Sequence, residues 1–175
     1  MIKIAAIILC LTGLLRIEPR KIKTDNQSFS FEKIIFHTTA CNGLCPIYHL
    51  EVTQNKQIRL HTEDAYLRSE KFSFTRDSSK IGYFTGTIQD STYKNLFTEL
   101  SVIDLNNLAF NNAQCCDGSV ITMIVYYNGK RKILRSMFPP EKALKLIGML
   151  YDICGKSQLM RSAQQFTVER ATENQ

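Results

Sequence analysis

Asn128-Gly129 lies between two runs of strand-forming residues, and it constrains the fold more than any other feature of the chain. Both central positions of a two-residue hairpin turn need positive φ, which Asn and Gly tolerate. The incoming run, 119–127, is apolar at both parities, through Val120, Ile124 and Tyr126 and through Ile121, Met123 and Val125. That pattern predicts a central strand covered on each side. The return strand runs over 130–137.

A second hairpin is predicted upstream. Over 46–53, Tyr48, Leu50 and Val52 alternate with His49, Glu51 and Thr53, the period of a half-buried strand. Gln54-Asn55-Lys56 is a turn, and 57–62 returns with Ile58 and Leu60 inward. Strands are also predicted over 31–39, with Ile34 and Phe36 on one face, over 71–76 through Phe72 and Phe74, and over 82–88. A loop is predicted over 63–69 and a polar turn over 77–80. Two segments have helical period. The first carries Tyr93, Leu96, Phe97, Leu100 and Ile103 in one stripe, with Asp90 or Ser91 as its cap. The second opens at Pro139-Pro140, buries Leu144, Ile147, Leu150 and Tyr151, and ends at Gly155. The order is strands, helix, strand hairpin, helix. Short links make the sheet mainly antiparallel, so the fold class is α+β with two helices packed on one face.

At 175 residues the chain suits one domain with a leader and a tail. Residues 1–23 read as a signal peptide or short N-terminal anchor. Lys3 is followed by an apolar run over 4–15, too short for a relaxed transmembrane helix of about 20 residues. Cys10 stands where a lipoprotein would be acylated, and Arg16, Arg20, Lys21 and Lys23 are the flanks an uncleaved anchor would carry. Residues 24–30 are a linker, 31–156 a single α+β domain, and 157–175 a polar tail expected to fray. The leader holds a net +4 of the total +6, which leaves +2 for the remainder. A nearly neutral body carries no electrostatic footprint for nucleic acid. The basic run Lys130-Arg-Lys132 reads as a solvated strand edge.

Cysteine use fits export. Apart from Cys10 there are Cys41, Cys45, Cys115, Cys116 and Cys154. In an oxidising compartment some should pair, and an odd number leaves at least one over. Cys41-Asn-Gly-Leu-Cys45-Pro46 offers three chemistries: a local disulfide, a redox pair, or a soft-metal site for copper or zinc. Redox pairs usually sit at a helix N-terminus, whereas a strand follows Cys45, so a structural disulfide is the leading reading. One of Cys115 and Cys116 is expected to reach Cys41 or Cys45. Cys154 reads as a buried free thiol. A metal would draw on Cys41, Cys45, Cys115, Cys116 and His37. His37 stands four residues before Cys41 and His49 four after Cys45. These two and His61 read first as structural or surface residues. Asp117 and Tyr48 are the candidate binding residues, and no catalytic residue is assigned.

The stretch from His37 to Ile153 resembles a family of bacterial secreted or lipid-anchored proteins, domain-of-unknown-function family 6438. Carrying the resemblance are Cys41-x3-Cys45-Pro46-x-Tyr48, Gly82-Tyr-Phe-Thr-Gly86 before a helix with Leu96 and Phe97, Asp117 before a strand, Asn128-Gly129-Lys130, and a Pro-initiated helix. The resemblance implies an envelope location and no activity. Cys41-x3-Cys45-Pro46 is also similar to the copper-binding motif of the Sco family, although a helix follows the motif there. That similarity is the source of the copper alternative.

The sequence therefore predicts an uncharacterised bacterial cell-envelope domain, exported or periplasmic. It is read as a non-catalytic binding module, stabilised by disulfides, for a protein or envelope-surface partner. The alternative is a thiol-based copper or zinc carrier or redox protein. No cofactor is expected on the first reading, and no acid–base or nucleophile constellation can be read.

Overall fold

The computed structural model describes residues 29–67, 75–156 and 158–171. The leader with Cys10, and most of the strand expected over 71–76, lie outside them.

Among the described residues, nine elements run in the order β1 (Phe31–Thr38), β2 (Ile47–Thr53), β3 (Gln57–Asp64), β4 (Gly82–Thr87), α1 (Asp90–Val102), β5 (Ile121–Tyr127), β6 (Lys130–Ser136), α2 (Glu141–Lys156) and β7 (Met160–Arg161), with one 3₁₀ turn at Ser78–Lys80. The strands form one seven-stranded sheet in the order β6-β5-β1-β2-β3-β4-β7, and every pairing is antiparallel. The architecture is α+β, mainly antiparallel sheet with two helices.

The topology follows from the turns. Asn128 (φ 49°) and Gly129 (φ 68°) close the β5–β6 hairpin as their chemistry requires. Lys56 (φ 63°) closes β2–β3. Because β5 pairs with β1, the chain between β4 and β5 crosses the sheet, and α1 rides that crossing. From the β6 edge α2 crosses back and delivers β7 to β4. Both helices cover the same face. Ile34, Phe36, Leu50, Val52, Leu60, Met123 and Val125 meet Leu96, Leu100, Ala143, Leu146, Leu150 and Ile153 in one buried cluster. Glu99, buried on α1, pairs with Lys145 of α2.

Four expectations need correction. The cap of α1 is Gln89, without a side-chain bond, and Asp90 opens the helix instead, paired to Lys56 Nζ at 2.9 Å. There its charge complements the positive helix end. Leu144 is 51% exposed. Residues 144, 147 and 151 share a helical stripe, but Leu146 and Ala143 turn the buried face by about one residue step. Strand β3 runs on to Asp64, where a loop was expected. Finally, residues 158–171 are not a frayed tail. After β7 the chain makes a third crossing, on the outer face of the sheet, away from the helices. Val168 is buried there against Ile35 and Ile124, with Phe166, Tyr126 and Ile133 around them. We call 162–171 the strap.

Candidate functional site

Strand parity sends Ile34, Phe36, Leu50 and Leu60 inward and leaves their odd-numbered neighbours on the outer face. Register then aligns outer-face residues across six strands. Arg135 of β6 stands opposite Thr122 of β5, Thr122 opposite His37, His37 opposite His49, His49 opposite His61, and His61 opposite Tyr83 of β4. All three histidines of the chain lie in this one row.

The row is hydrogen-bonded. His37 Nδ1 and His49 Nδ1 are 2.8 Å apart. His37 Nε2 donates to the Glu169 carbonyl of the strap at 2.7 Å, since a carbonyl can only accept. His49 Nε2 meets Glu63 Oε1 at 2.8 Å. His61 stacks on Tyr83 at 4.2 Å between centroids and 6° between planes. Burial is the largest influence on His37 and pushes it down to about 4, with the charges of His49 and Arg170 acting the same way against the pull of the Glu169 carbonyl. Burial also lowers His61. Partial burial works to raise the Glu63 carboxyl, but the His49 hydrogen bond and nearby positive charges outweigh it and hold the group low.

Three bonds in this chain need three protons. Two neutral imidazoles carry only two. His37 stays neutral and spends its proton on the Glu169 carbonyl. His49 Nδ1–H must then donate to His37 Nδ1, so the 2.8 Å contact of His49 Nε2 with the Glu63 carboxylate needs a third proton, or a cation in its place.

Beside the row, His37, Thr38, Thr39, His49, Thr122, Arg135, Arg170 and Ala171 line a cavity of about 160 Å³. The strap supplies one wall. Glu169 binds Lys33 Nζ at 3.0 Å, Tyr126 OH at 2.6 Å and Arg131 Nη2 at 3.0 Å. Arg170 Nη2 reaches Glu63 Oε1 at 3.2 Å. A larger cleft of about 510 Å³ lies where the start of α1 meets the end of α2. Its lining is mostly amide, hydroxyl and apolar, with Asp152 as its ionisable side chain.

The predicted site residues separate. Cys41 and Cys45 are at disulfide distance, with Cα atoms 5.6 Å apart, so neither sulfur is a ligand while that bond stands. The second cysteine loop does lie at the same end of the sheet, since Asn42 N–H donates to the Asp117 carbonyl at 2.9 Å. Cys115 and Cys116 nevertheless do not pair with Cys41 or Cys45. They are free and exposed, with their sulfurs 2.8 Å apart. The hydrogen bond from Cys116 raises the Cys115 thiol. The expected cross-link fails because the first pair closes locally. Cys154 is a free thiol that burial pushes well up, an inert group at the edge of the helix-side core. Tyr48 is buried against Tyr151 and lines a cavity of about 180 Å³ with Leu60, Phe84 and Cys154. Asp117 is exposed, and its carbonyl joins the two loops.

Of the metal candidates only His37 belongs to the row. The sequence held a signal for the rest: His37 and His49 are equidistant from the centre of the Cys41–Cys45 loop, so a hairpin closed there pairs them. His61 and Glu63 follow from the parity of β3.

No curated protein matches the chain. A family model, Domain of unknown function (DUF6438), matches residues 32–147, from β1 into α2. The match takes in the cysteine loops and the histidine row but ends before the strap. The chain belongs to this family, DUF6438.

Proposed function

We propose that the protein is an exported cell-envelope domain that works as a non-catalytic interaction module, braced by Cys41–Cys45 and engaging a protein partner through the outer face of its sheet. The cavity lined by His37, His49, Arg135 and Arg170 carries this reading. Its volume of about 160 Å³ is below the roughly 300–1,000 Å³ of small-molecule sites. It suits one inserted side chain. The guanidinium groups of Arg135 and Arg170, with the hydroxyl of Thr122, favour a carboxylate, while Thr38 and Thr39 donate their hydroxyl protons to the Pro46 and Ala40 carbonyls. The disulfide loop follows Thr39 directly and limits motion of that rim.

The test is titration of the full chain with a glutamate-rich peptide, followed by NMR. Shifts confined to Thr38, Thr39, Thr122 and Arg170, weakened by salt and by Arg170→Ala, are expected. Shifts spread over the helix face, or none at millimolar peptide, would sink the reading. Export is tested separately by fusing residues 1–30 to a phosphatase that matures only outside the cytoplasm, where an inactive fusion counts against it.

A further inference from the structure

We infer that His49, His61 and Glu63 form a binding site for a zinc-class divalent cation on the outer face, with His37 as its positioning residue. The site goes beyond the interaction role and stands whether or not the adjoining cavity takes a carboxylate.

The backbone builds it. His49 and His61 are a direct cross-strand pair of β2 and β3, and Glu63 follows His61 on the same face of β3. One ligand atom from each lies within 4.8 Å of the others. Donors around a tetrahedral zinc ion stand about 3.3 Å apart, given bonds of about 2.0–2.1 Å. His49 Nε2 and Glu63 Oε1, in hydrogen-bond contact at 2.8 Å, would open by about 0.5 Å around the ion. The closure falls to His61, half-buried, which would slide from its stack on Tyr83, while exposed Glu63 rotates. Two imidazoles and a carboxylate are a borderline-hard donor set that selects zinc over calcium or magnesium.

The chain behind His49 is what distinguishes this trio from three neighbours on a surface. A metal-bound imidazole usually donates its other N–H to a fixed acceptor, which sets its tautomer. His49 Nδ1 has that acceptor in His37 Nδ1, and His37 is fixed in turn by the Glu169 carbonyl. With His49 Nδ1 engaged by His37 Nδ1, Nε2 is the ring atom turned toward Glu63 and the one placed to act as a ligand. A cation bound there would replace the hydrogen bond that His49 Nε2 makes with Glu63 Oε1. With three protein ligands the fourth position stays open to water or to a partner's side chain. Arg170 is the competitor, because its guanidinium already holds Glu63 Oε1.

The probes are Zn²⁺ by calorimetry and Co²⁺ by visible absorption. Both are titrated into the full chain carrying Cys115→Ser and Cys116→Ser, which removes the two exposed thiols of that loop. One saturable equivalent is expected, with the weak absorption of nitrogen and oxygen ligation and no sulfur charge-transfer band. His61→Ala and Glu63→Gln should each weaken it by more than tenfold. His37→Phe should weaken it by about 10–100-fold while leaving all three ligands in place. Arg170→Ala should tighten it. Should His61→Ala fail to fold, Glu63→Gln decides the matter, because it keeps the shape and removes the charge. Absence of a saturable equivalent, binding that survives Glu63→Gln, or binding lost with the two cysteines would each overturn the site.

Discussion

Val168→Asp tests whether the strap is part of the fold. Val168 is 4% exposed and packs on the fully buried Ile35 and Ile124. Val168→Ala removes two methyl-sized groups at about 0.8 kcal/mol each, and the incompletely closed void adds to this, for a loss of about 2 kcal/mol. At roughly 4 °C per kcal/mol the melting temperature should fall by about 8 °C. Val168→Asp is different in kind. A carboxylate against two isoleucines costs several kcal/mol, but the strap can leave the sheet and return the charge to water. The measured loss is therefore capped at the free energy of docking the strap. Val168→Asp and a chain truncated after Ser162 should then melt together, below Val168→Ala. Both should bind a hydrophobic dye through the uncovered Ile35 and Ile124, and undocking should free the backbone at Arg170 of Val168→Asp for cleavage by trypsin. Urea and thermal unfolding followed by circular dichroism supply the comparison. If Val168→Asp stays within about 0.5 kcal/mol of the parent, or melts well above the truncated chain, the strap is held by something other than this contact and the reasoning fails.

Three further outcomes are expected. Reducing Cys41–Cys45, or replacing both with Ser, should lower stability by about 2 kcal/mol, the chain-entropy value for so short a loop, and an unchanged urea midpoint after reduction would contradict this. His37 has its ordinary 6.5 in the unfolded chain and about 4 when folded, so its neutral burial stabilises the fold above pH 6.5; that contribution, on the order of 3 kcal/mol, is lost as pH falls toward 4, and His37→Phe should flatten that limb of the stability curve. Partial burial works to raise Glu169, but bonds from Tyr126, Lys33 and Arg131 outweigh it and hold it below its ordinary 4.5, so its contribution is complete above that pH and disappears as the pH falls further; Glu169→Gln should remove this acid-side loss, and an unaltered pH profile would show that the ion pairs do not hold the strap.

The helix-side half of the molecule was legible because periodicity reports it directly. Alternation over Tyr48, Leu50 and Val52, the Asn128-Gly129 turn and the two helical stripes yielded the sheet, its hairpins and the layer order. The outer half was not legible, for two reasons. Its cover is a short extended segment whose apolar content is Phe166, Val168 and Ala171, too sparse to register as a strand or helix. Its chemistry depends on register, which a single strand does not display. In the sequence His37, His49 and His61 are three isolated residues, and the register of β1, β2 and β3 is what brings them together.

Register also ties the two faces to each other. Side chains alternate along β1, β2 and β3, so a one-residue slip would send Ile34, Phe36, Leu50 and Leu60 outward and scatter the histidine row in the same step. Burial of that core therefore fixes the row without any contribution from the row itself. Alignment alone is thus no sign of a site. What the core does not dictate is the identity of the aligned residues. An outer face could carry threonine and lysine at these places and keep the same hairpins. Here it carries three imidazoles in line, a carboxylate diagonal to the second of them, and a main-chain carbonyl delivered from the far end of the chain to orient the first. Those choices bring nothing to the helix-side core, and burial of His37 disfavours its protonated form. Their return lies in the chemistry that the His49–Glu63 position can hold.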